Sequence, residues 1–150
     1  MVMNGLPPSV LFACSENSVR SPMAEALAKR LYGRSMFLDS AGVRAGEAVD
    51  EFAATALGEL GIDLHAHRAK SLEDVDPSSF DLIVTLSPEA HHNALEFTRS
   101  AAVEVEYWPM ADPSAVEGGR EVRLDAYRQA RDHLLVRLMA RFGAPSGPQP

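Results

Sequence analysis

Short apolar runs alternate with segments of helical periodicity along this chain of 150 residues, and no other feature constrains its fold as strongly. The apolar runs predict four strands, at 9–13, 36–42, 81–86 and 103–108. The periodic segments predict four helices, at 21–33, 50–60, 87–99 and 120–141. Because strands that alternate with helices form a parallel sheet covered on both faces, we expect a three-layer α/β/α fold with a four-stranded parallel sheet.

Composition and charge exclude several classes of protein. Apolar residues make up 46% and charged residues 23% of the chain, which is typical of a folded domain, and we expect a single domain over 1–150 with flexible ends at 1–7 and 144–150. No apolar run approaches about 18 residues, so no membrane span is expected. A net charge of −7 argues against nucleic-acid binding. A single cysteine cannot form an internal disulfide, which is compatible with a cytoplasmic protein.

The only cysteine, Cys14, directly follows the first predicted strand, and Arg20 comes six residues later, where the next helix begins. Ligands of parallel sheets bind beyond the carboxyl ends of the strands, and a helix N-terminus at that position attracts an anion. The intervening residues can turn their N–H groups into a concave nest, which the guanidinium of Arg20 closes. Cys14 would then be a thiolate nucleophile beneath a bound phosphate, although free cysteines are also common as buried core residues. The predicted oxyanion-binding residues are Ser15, Glu16, Asn17, Ser18, Val19, Arg20 and Ser21.

The motif C-x5-R-S after a hydrophobic strand closely resembles the signature of the low-molecular-weight protein tyrosine phosphatases and the arsenate reductases related to them. The resemblance continues through RSPMAEAL, LDSAG, FDLIVTLS and WPMADP, and covers nearly the whole chain. It implies a flavodoxin-like strand order 2-1-3-4 with the phosphate-binding loop after strand 1. It also implies hydrolysis of phosphotyrosine or of small aryl phosphates through a cysteinyl-phosphate intermediate, with no cofactor.

A late Asp-Pro dipeptide supplies a candidate general acid. The leaving oxygen of a phosphate ester needs a proton, which Asp112 would donate before it activates the hydrolytic water. A second dipeptide, Asp76-Pro77, precedes the third strand, and topology therefore places it at the opposite edge of the sheet. Asp-Pro is also common in turns, but topology and the resemblance both favour Asp112 as the acid.

The resemblance also implies supporting roles for four side chains. Asn17 would brace the loop from within, together with Ser40 and His67, and the Ser21 hydroxyl would donate to the thiolate. Ser21 is also expected to be the N-cap of the first helix, with Pro22 as the first helical residue. For His67 the ordinary alternative is a surface histidine. The remaining histidines lack companion ligands at metal-binding spacing, so no metal site is predicted.

Five residues in three places depart from the phosphatase pattern. Ser114, Ala115 and Val116 follow the Asp-Pro, where tyrosine phosphatases usually carry aromatic residues that hold the phenol ring. Ser18 replaces a bulkier apolar residue and resembles the arsenate reductase version of the loop. Glu16 stands where a small residue is usual, and we expect its carboxylate at the rim of the nest, where it would disfavour acidic substrates.

Two alternative functions follow from the same loop. Arsenate has nearly the shape and charge of phosphate, so Cys14 could attack arsenic instead of phosphorus. Reduction needs further thiols, and with a single cysteine this chain would depend on an external small thiol such as glutathione or mycothiol. A non-catalytic phosphate-binding module is the third possibility. Neither a nucleic acid nor a membrane is an expected partner.

Overall fold

Residues 5–145 are described by the computed structural model, in which four parallel strands form one sheet. The strands are β1 (Ser9–Cys14), β2 (Phe37–Gly42), β3 (Leu82–Thr85) and β4 (Glu104–Tyr107). The helices are α1 (Arg20–Tyr32), α2 (Glu51–Gly58), α3 (Pro88–Phe97) and α4 (Arg120–Phe142). The strand order is β2-β1-β3-β4, so the predicted order 2-1-3-4 is confirmed. Flexible ends are predicted for residues 1–7 and 144–150, of which 1–4 and 146–150 lie outside the described residues.

Side chains of β1 alternate between two apolar layers. Val10 and Phe12 face the layer that contains α1, α2 and α4, whereas Leu11 and Ala13 face the layer that contains α3. All six residues of β1 are buried, because helices cover this central strand on both sides. The predicted α/β/α arrangement is therefore confirmed. No helix within residues 5–145 is long and apolar enough to cross a membrane.

The parallel register brings the carboxyl ends of the strands to one edge of the sheet. Cys14 pairs with Gly42 across β1 and β2, and Thr85 pairs with Tyr107 across β3 and β4. The segments that follow the strands, at 15–19, 43–50 and 108–119, consequently start from the same edge. This edge is where ligands bind in open α/β sheets.

Helix α1 begins at Arg20, two residues before the predicted first helical residue Pro22, and the expectation that Ser21 caps it is wrong. Val19 is the N-cap residue, with φ −129° and ψ −77°, and no side chain caps this helix. Ser21 lies inside the first turn and is fully buried. Its hydroxyl contacts Cys14 instead, because the strand ends so close to the helix that the sulfur also accepts from the N–H of Ser21.

Candidate active site

The loop between β1 and α1 turns its carbonyl groups outward. The carbonyl oxygens of residues 14–18 all accept hydrogen bonds from outside the loop, at 2.8–3.1 Å. The donors are the N–H groups of Val43, Arg44, Gly46 and Asp50, and the Nε2 atom of His67. In a planar trans peptide the N–H points away from the preceding C=O, so the N–H groups of residues 15–19 face the opposite side. They line the inside of a cup, as anion binding requires.

Asn17 shapes this cup from below. Its backbone is in the left-handed region, with φ 58°, which asparagine tolerates better than most residues. Its Nδ2 donates to the Oγ atoms of Ser21, at 2.8 Å, and Ser40, at 2.9 Å. Its Oδ1 accepts from the Lys70 N–H at 3.0 Å and from His67 Nε2 at 3.2 Å. Asn17 is fully buried, so the whole side chain serves to hold the loop.

A glycine at the end of β2 leaves room for the loop. A Cβ atom on Gly42 would lie 2.8 Å from the backbone nitrogen of Asn17 and 2.6 Å from the carbonyl oxygen of Arg44. Both neighbours are backbone atoms and cannot rotate away. The loop therefore packs directly on the main chain of the neighbouring strand.

The sulfur of Cys14 lies at the floor of the cup, with the residue only 3% exposed. The Sγ atom accepts a hydrogen bond from the Ser21 N–H at 3.4 Å and lies 2.9 Å from Ser21 Oγ. Ser21 Oγ accepts from Asn17, so its own hydrogen is free for the sulfur, the nearer of the two acceptors in reach. The Ser21 N–H and hydroxyl therefore both direct a hydrogen at the sulfur, which lies against the first turn of α1.

A buried carboxylate that the sequence did not indicate, Glu25, fixes the orientation of this support. The Ser40 hydroxyl donates to Glu25 Oε1 at 2.5 Å, so Ser40 Oγ is left to accept from Asn17. His67 Nδ1 lies 3.8 Å from the same carboxylate, and Lys29 donates to its other oxygen at 2.5 Å. The sequence feature that could have indicated Glu25 is its position four residues after Ser21, on the buried side of α1.

Arg20 and Asp112 lie close together in the cleft above the cup. Arg20 Nη1 donates to the carbonyl oxygen of Met110 at 3.0 Å, and Nη2 lies 3.9 Å from Asp112 Oδ2. Asp112 Oδ1 accepts from both the N–H and the hydroxyl of Ser114, at 2.9 and 2.7 Å. The other oxygen, Oδ2, accepts no hydrogen bond from the described residues. These contacts hold the predicted acid beside the guanidinium.

One cleft of about 410 Å³ joins the predicted catalytic residues. Its walls are formed by Cys14, Ser15, Glu16, Ser18, Val19, Arg20, Asp50, Asp112 and Ser114. Asp76 is not among them; it caps a short turn before β3. Its contacts with Ser78 repeat those of Asp112 with Ser114, at 3.0 and 2.7 Å. The two Asp-Pro-Ser turns are thus locally alike, but only one lines the cleft.

Asp50 also lines the cleft, although its sequence context did not indicate it as a site residue. Its Oδ1 caps α2 by accepting from the N–H groups of Phe52 and Ala53, and its Oδ2 accepts from the Tyr127 hydroxyl at 3.0 Å. Burial and the nearby Asp50 carboxylate raise the pKa of Tyr127, so this hydroxyl remains a donor. The signal that could have found Asp50 is its N-cap position after the second strand, at the edge of the sheet where Cys14 lies.

Glu16 lies at the rim of the cup, with its side chain 56% exposed. Its Oε2 is 3.7 Å from Nε of Arg44, whose guanidinium also binds Glu89 at 2.8 and 3.1 Å. The Arg44 guanidinium lowers the pKa of Glu89, and the Ser15 hydroxyl adds to this effect. The carboxylate of Glu16 therefore faces the cleft mouth and not its floor.

Within residues 5–145, no three His, Cys, Asp or Glu side chains converge as metal ligands.

The pattern of the low molecular weight phosphotyrosine protein phosphatase family matches residues 9–137 of the chain. The protein belongs to this family, a class of cysteine-dependent phosphatases and arsenate reductases. It is similar to an arsenate reductase of Halalkalibacterium halodurans, with 32% identity over 86% of this chain and 91% of the relative. An arsenate reductase of Bacillus subtilis is 30% identical over the same shares of the two chains.

Solved structures resemble the chain over 89% of its length. An arsenate reductase in the phosphate binding state superimposes with a TM-score of 0.74 at 26% identity, over 98% of that chain. The YwlE arginine phosphatase, as a cysteine-to-serine mutant with a phosphorylated active site serine, gives 0.71 at 28% identity, over 93% of that chain. The family and the fold of the chain are therefore shown, and the phosphate-bound relative supports oxyanion binding.

Proposed function

We propose that this protein hydrolyses phosphomonoesters, with phosphotyrosine or small aryl phosphates as substrates, through a cysteinyl-phosphate intermediate. The observation that carries the proposal is the position of Cys14. Its sulfur lies at the floor of a cup of N–H groups, in a cleft that Arg20 and Asp112 also line. A nucleophile, an oxyanion clamp and an acid in one cleft are the groups that this reaction needs, and none of them requires a cofactor.

In the first step the Cys14 thiolate attacks phosphorus in line with the leaving oxygen. The loop N–H groups and Arg20 bind the three equatorial oxygens, on which negative charge is spread in the transition state. Asp112 Oδ2 donates a proton to the ester oxygen as the P–O bond breaks. The products are a neutral alcohol or phenol and a phosphoryl group bound to sulfur.

In the second step a water molecule replaces the departed alcohol. Asp112, now a carboxylate, accepts a proton from this water as its oxygen attacks phosphorus. The P–S bond breaks, and its electron pair returns to Cys14. The Ser21 hydroxyl and N–H, at 2.9 and 3.4 Å from the sulfur, stabilise the thiolate that leaves.

Cys14→Ser tests this function with phenyl phosphate as the substrate. We expect hydrolysis to be lost while inorganic phosphate still binds, as followed by isothermal titration calorimetry, because the cup of N–H groups does not depend on the sulfur. Acid quenching of the wild-type protein during turnover should trap phosphate on Cys14. Hydrolysis that survives in the serine variant would refute the cysteinyl-phosphate route.

Arsenate reduction is a second candidate, favoured by the curated relatives that carry the name arsenate reductase at 30–32% identity. The Cys14 thiolate would displace hydroxide from arsenate and form an S–As bond. An external thiol would then attack the Cys14 sulfur, leave the electron pair on arsenic as arsenite, and form a mixed disulfide. A second external thiol would release Cys14, since the chain has no other cysteine.

One pair of assays separates the candidate functions. Cysteine-dependent hydrolysis of phenyl phosphate supports the phosphatase, and arsenite production that requires added glutathione or mycothiol supports the reductase. Tight phosphate binding without either activity would leave the third reading, a non-catalytic phosphate-binding module.

A further inference from the structure

A second groove opens directly beside the catalytic cleft. It has a volume of about 420 Å³, lies along the segment 44–48, and shares Glu16, Ser18 and Asp50 with the cleft. A phosphoryl group in the cup therefore places the neighbouring part of its substrate against these shared residues. The opposite wall is formed by Asp112 and Ser114.

Within residues 5–145, neither wall offers an aromatic side chain against which a substrate ring could stack. Among the described residues, no aromatic side chain lines the cleft or the adjoining groove. The positions after Asp112 that could supply one carry Pro113, Ser114 and Ala115. The part of the substrate next to the phosphoryl group is therefore recognised mainly through polar and charged contacts.

The charge along this mouth is predominantly negative. Three carboxylates, on Glu16, Glu47 and Asp50, line the groove, and its one cation in the described part of the chain, Arg44, is bound by Glu89 from outside. Glu16 leans over Gly46, where a Cβ atom would lie 3.2 Å from the Glu16 Cβ. The Glu16 carboxylate thus lies at the rim, away from the phosphate dianion. It faces the part of the substrate that adjoins the phosphoryl group.

We infer that Glu16 is a specificity-determining residue, which selects phosphopeptides that carry lysine or arginine next to the phosphorylated residue. The inference rests on the proposed phosphatase function. The N–H cup and Arg20 bind the phosphoryl group, and Glu16 attracts the neighbouring positive charge. Arg44 opposes this selection, since its guanidinium lies 3.7 Å from the Glu16 carboxylate and partly neutralises it.

The test compares two phosphotyrosyl peptides that differ only in their flanking residues, lysine in one and glutamate in the other. The quantity measured is the ratio of kcat/KM for the lysine peptide to that for the glutamate peptide. We expect a ratio well above one for the wild-type protein and a ratio about threefold lower for Glu16→Gln, from loss of one unit charge near the substrate in a water-like dielectric. Arg44→Gln should raise the ratio, because it removes the opposing charge.

Glu96→Gln is the matched control, because Glu96 is an exposed glutamate of α3 that binds Arg99 and does not line the cleft. Its ratio should equal that of the wild-type protein. A wild-type ratio near one would overturn the inference, and so would a ratio that neither Glu16→Gln nor Arg44→Gln changes. If phenyl phosphate is still hydrolysed in that case, the proposed phosphatase function is unaffected. Absence of hydrolysis of all three substrates would refute the proposed function and the inference together.

Discussion

Asn17 combines a left-handed backbone conformation with a side chain whose polar atoms all bind inside the protein. Its Nδ2 donates to two hydroxyl groups, and its Oδ1 accepts from the Lys70 N–H and from His67. A buried amide satisfied in this way holds one orientation, so the loop is shaped before an anion arrives. Preorganised N–H groups need no rearrangement in the transition state. This preorganisation is the main source of catalysis by such a cup.

At the same scale, the two Asp-Pro-Ser turns provide a matched test of the proposed general acid. Asp112→Asn should lower kcat for phenyl phosphate roughly 10²-fold or more, because the amide cannot protonate the leaving oxygen. The loss should be smaller for p-nitrophenyl phosphate, whose leaving group needs less protonation. Steady-state kinetics with both substrates measures this difference.

Asp76→Asn is the control for that experiment, since Asp76 makes the same two contacts with a serine and lies outside the cleft wall. Its kcat should not change. Equal losses for both substrates in Asp112→Asn would indicate that Asp112 orients Arg20 and does not transfer a proton.

At the scale of elements, helix α4 connects the two walls of the cleft. It packs against the turn at Pro113–Ala115, next to Asp112, and its Tyr127 binds the N-cap residue of α2, Asp50. At the other end of α2, Glu59 binds Arg128 and Arg131, and Arg131 also donates to the carbonyl oxygen of Ala56 at 2.8 Å. These contacts hold α2 and α4 together along their length and so fix the spacing of the cleft.

The ion pairs of Glu59 predict a pH dependence of stability. Hydrogen bonds from Arg128 and then from Arg131 lower the pKa of Glu59 from 4.5 to about 2. A carboxyl group with a lowered pKa stabilises the folded state above the unfolded pKa, and this contribution is lost as the pH falls from 4.5 towards 2. The free energy of unfolding of wild type minus that of Glu59→Gln, measured in urea, should therefore shrink over this interval.

Glu121→Gln serves as the comparison, because Glu121 is an exposed carboxylate that lies 3.6 Å from the same Arg128. The free energy of unfolding of Glu121→Gln should differ little from that of the wild type at every pH, as expected for an exposed ion pair. A Glu59→Gln difference that does not depend on pH below 4.5 would show that the Arg128 and Arg131 contacts do not stabilise the ionised carboxylate.

The elements themselves could be predicted because their signals are local. Apolar runs and helical periodicity located all four strands and four helices, and alternation along the chain gave the layers. The role of Ser21 in capping could not be judged locally, since it depends on how closely β1 approaches α1. Asp50 and Glu25 were missed for the same reason: their partners Tyr127 and Ser40 are 77 and 15 residues distant and carry no shared pattern.

At the scale of the whole molecule, the anion site works against the net charge of the protein. The chain carries −7, and an aryl phosphate dianion must approach this field before it reaches the N–H cup. Interactions inside the cup are short and partly buried, so salt screens them weakly, whereas the long-range repulsion is screened within about 10 Å at 0.1 M salt. Salt should therefore affect approach and binding at the mouth more than it affects chemistry at the floor.

This difference predicts the response of the enzyme to ionic strength. Raising NaCl from about 20 to about 200 mM should increase kcat/KM for phenyl phosphate, mainly through a lower KM, because screening weakens the repulsion between the dianion and the net negative protein. The increase should be smaller for the lysine-flanked phosphopeptide, because the attraction between its positive charge and the mouth is screened together with the repulsion of its dianion. Chloride is the suitable salt, since sulfate is a tetrahedral anion that would compete for the cup. If kcat/KM falls for both substrates, chloride competes at the cup, and the field of the whole molecule does not govern access to Cys14.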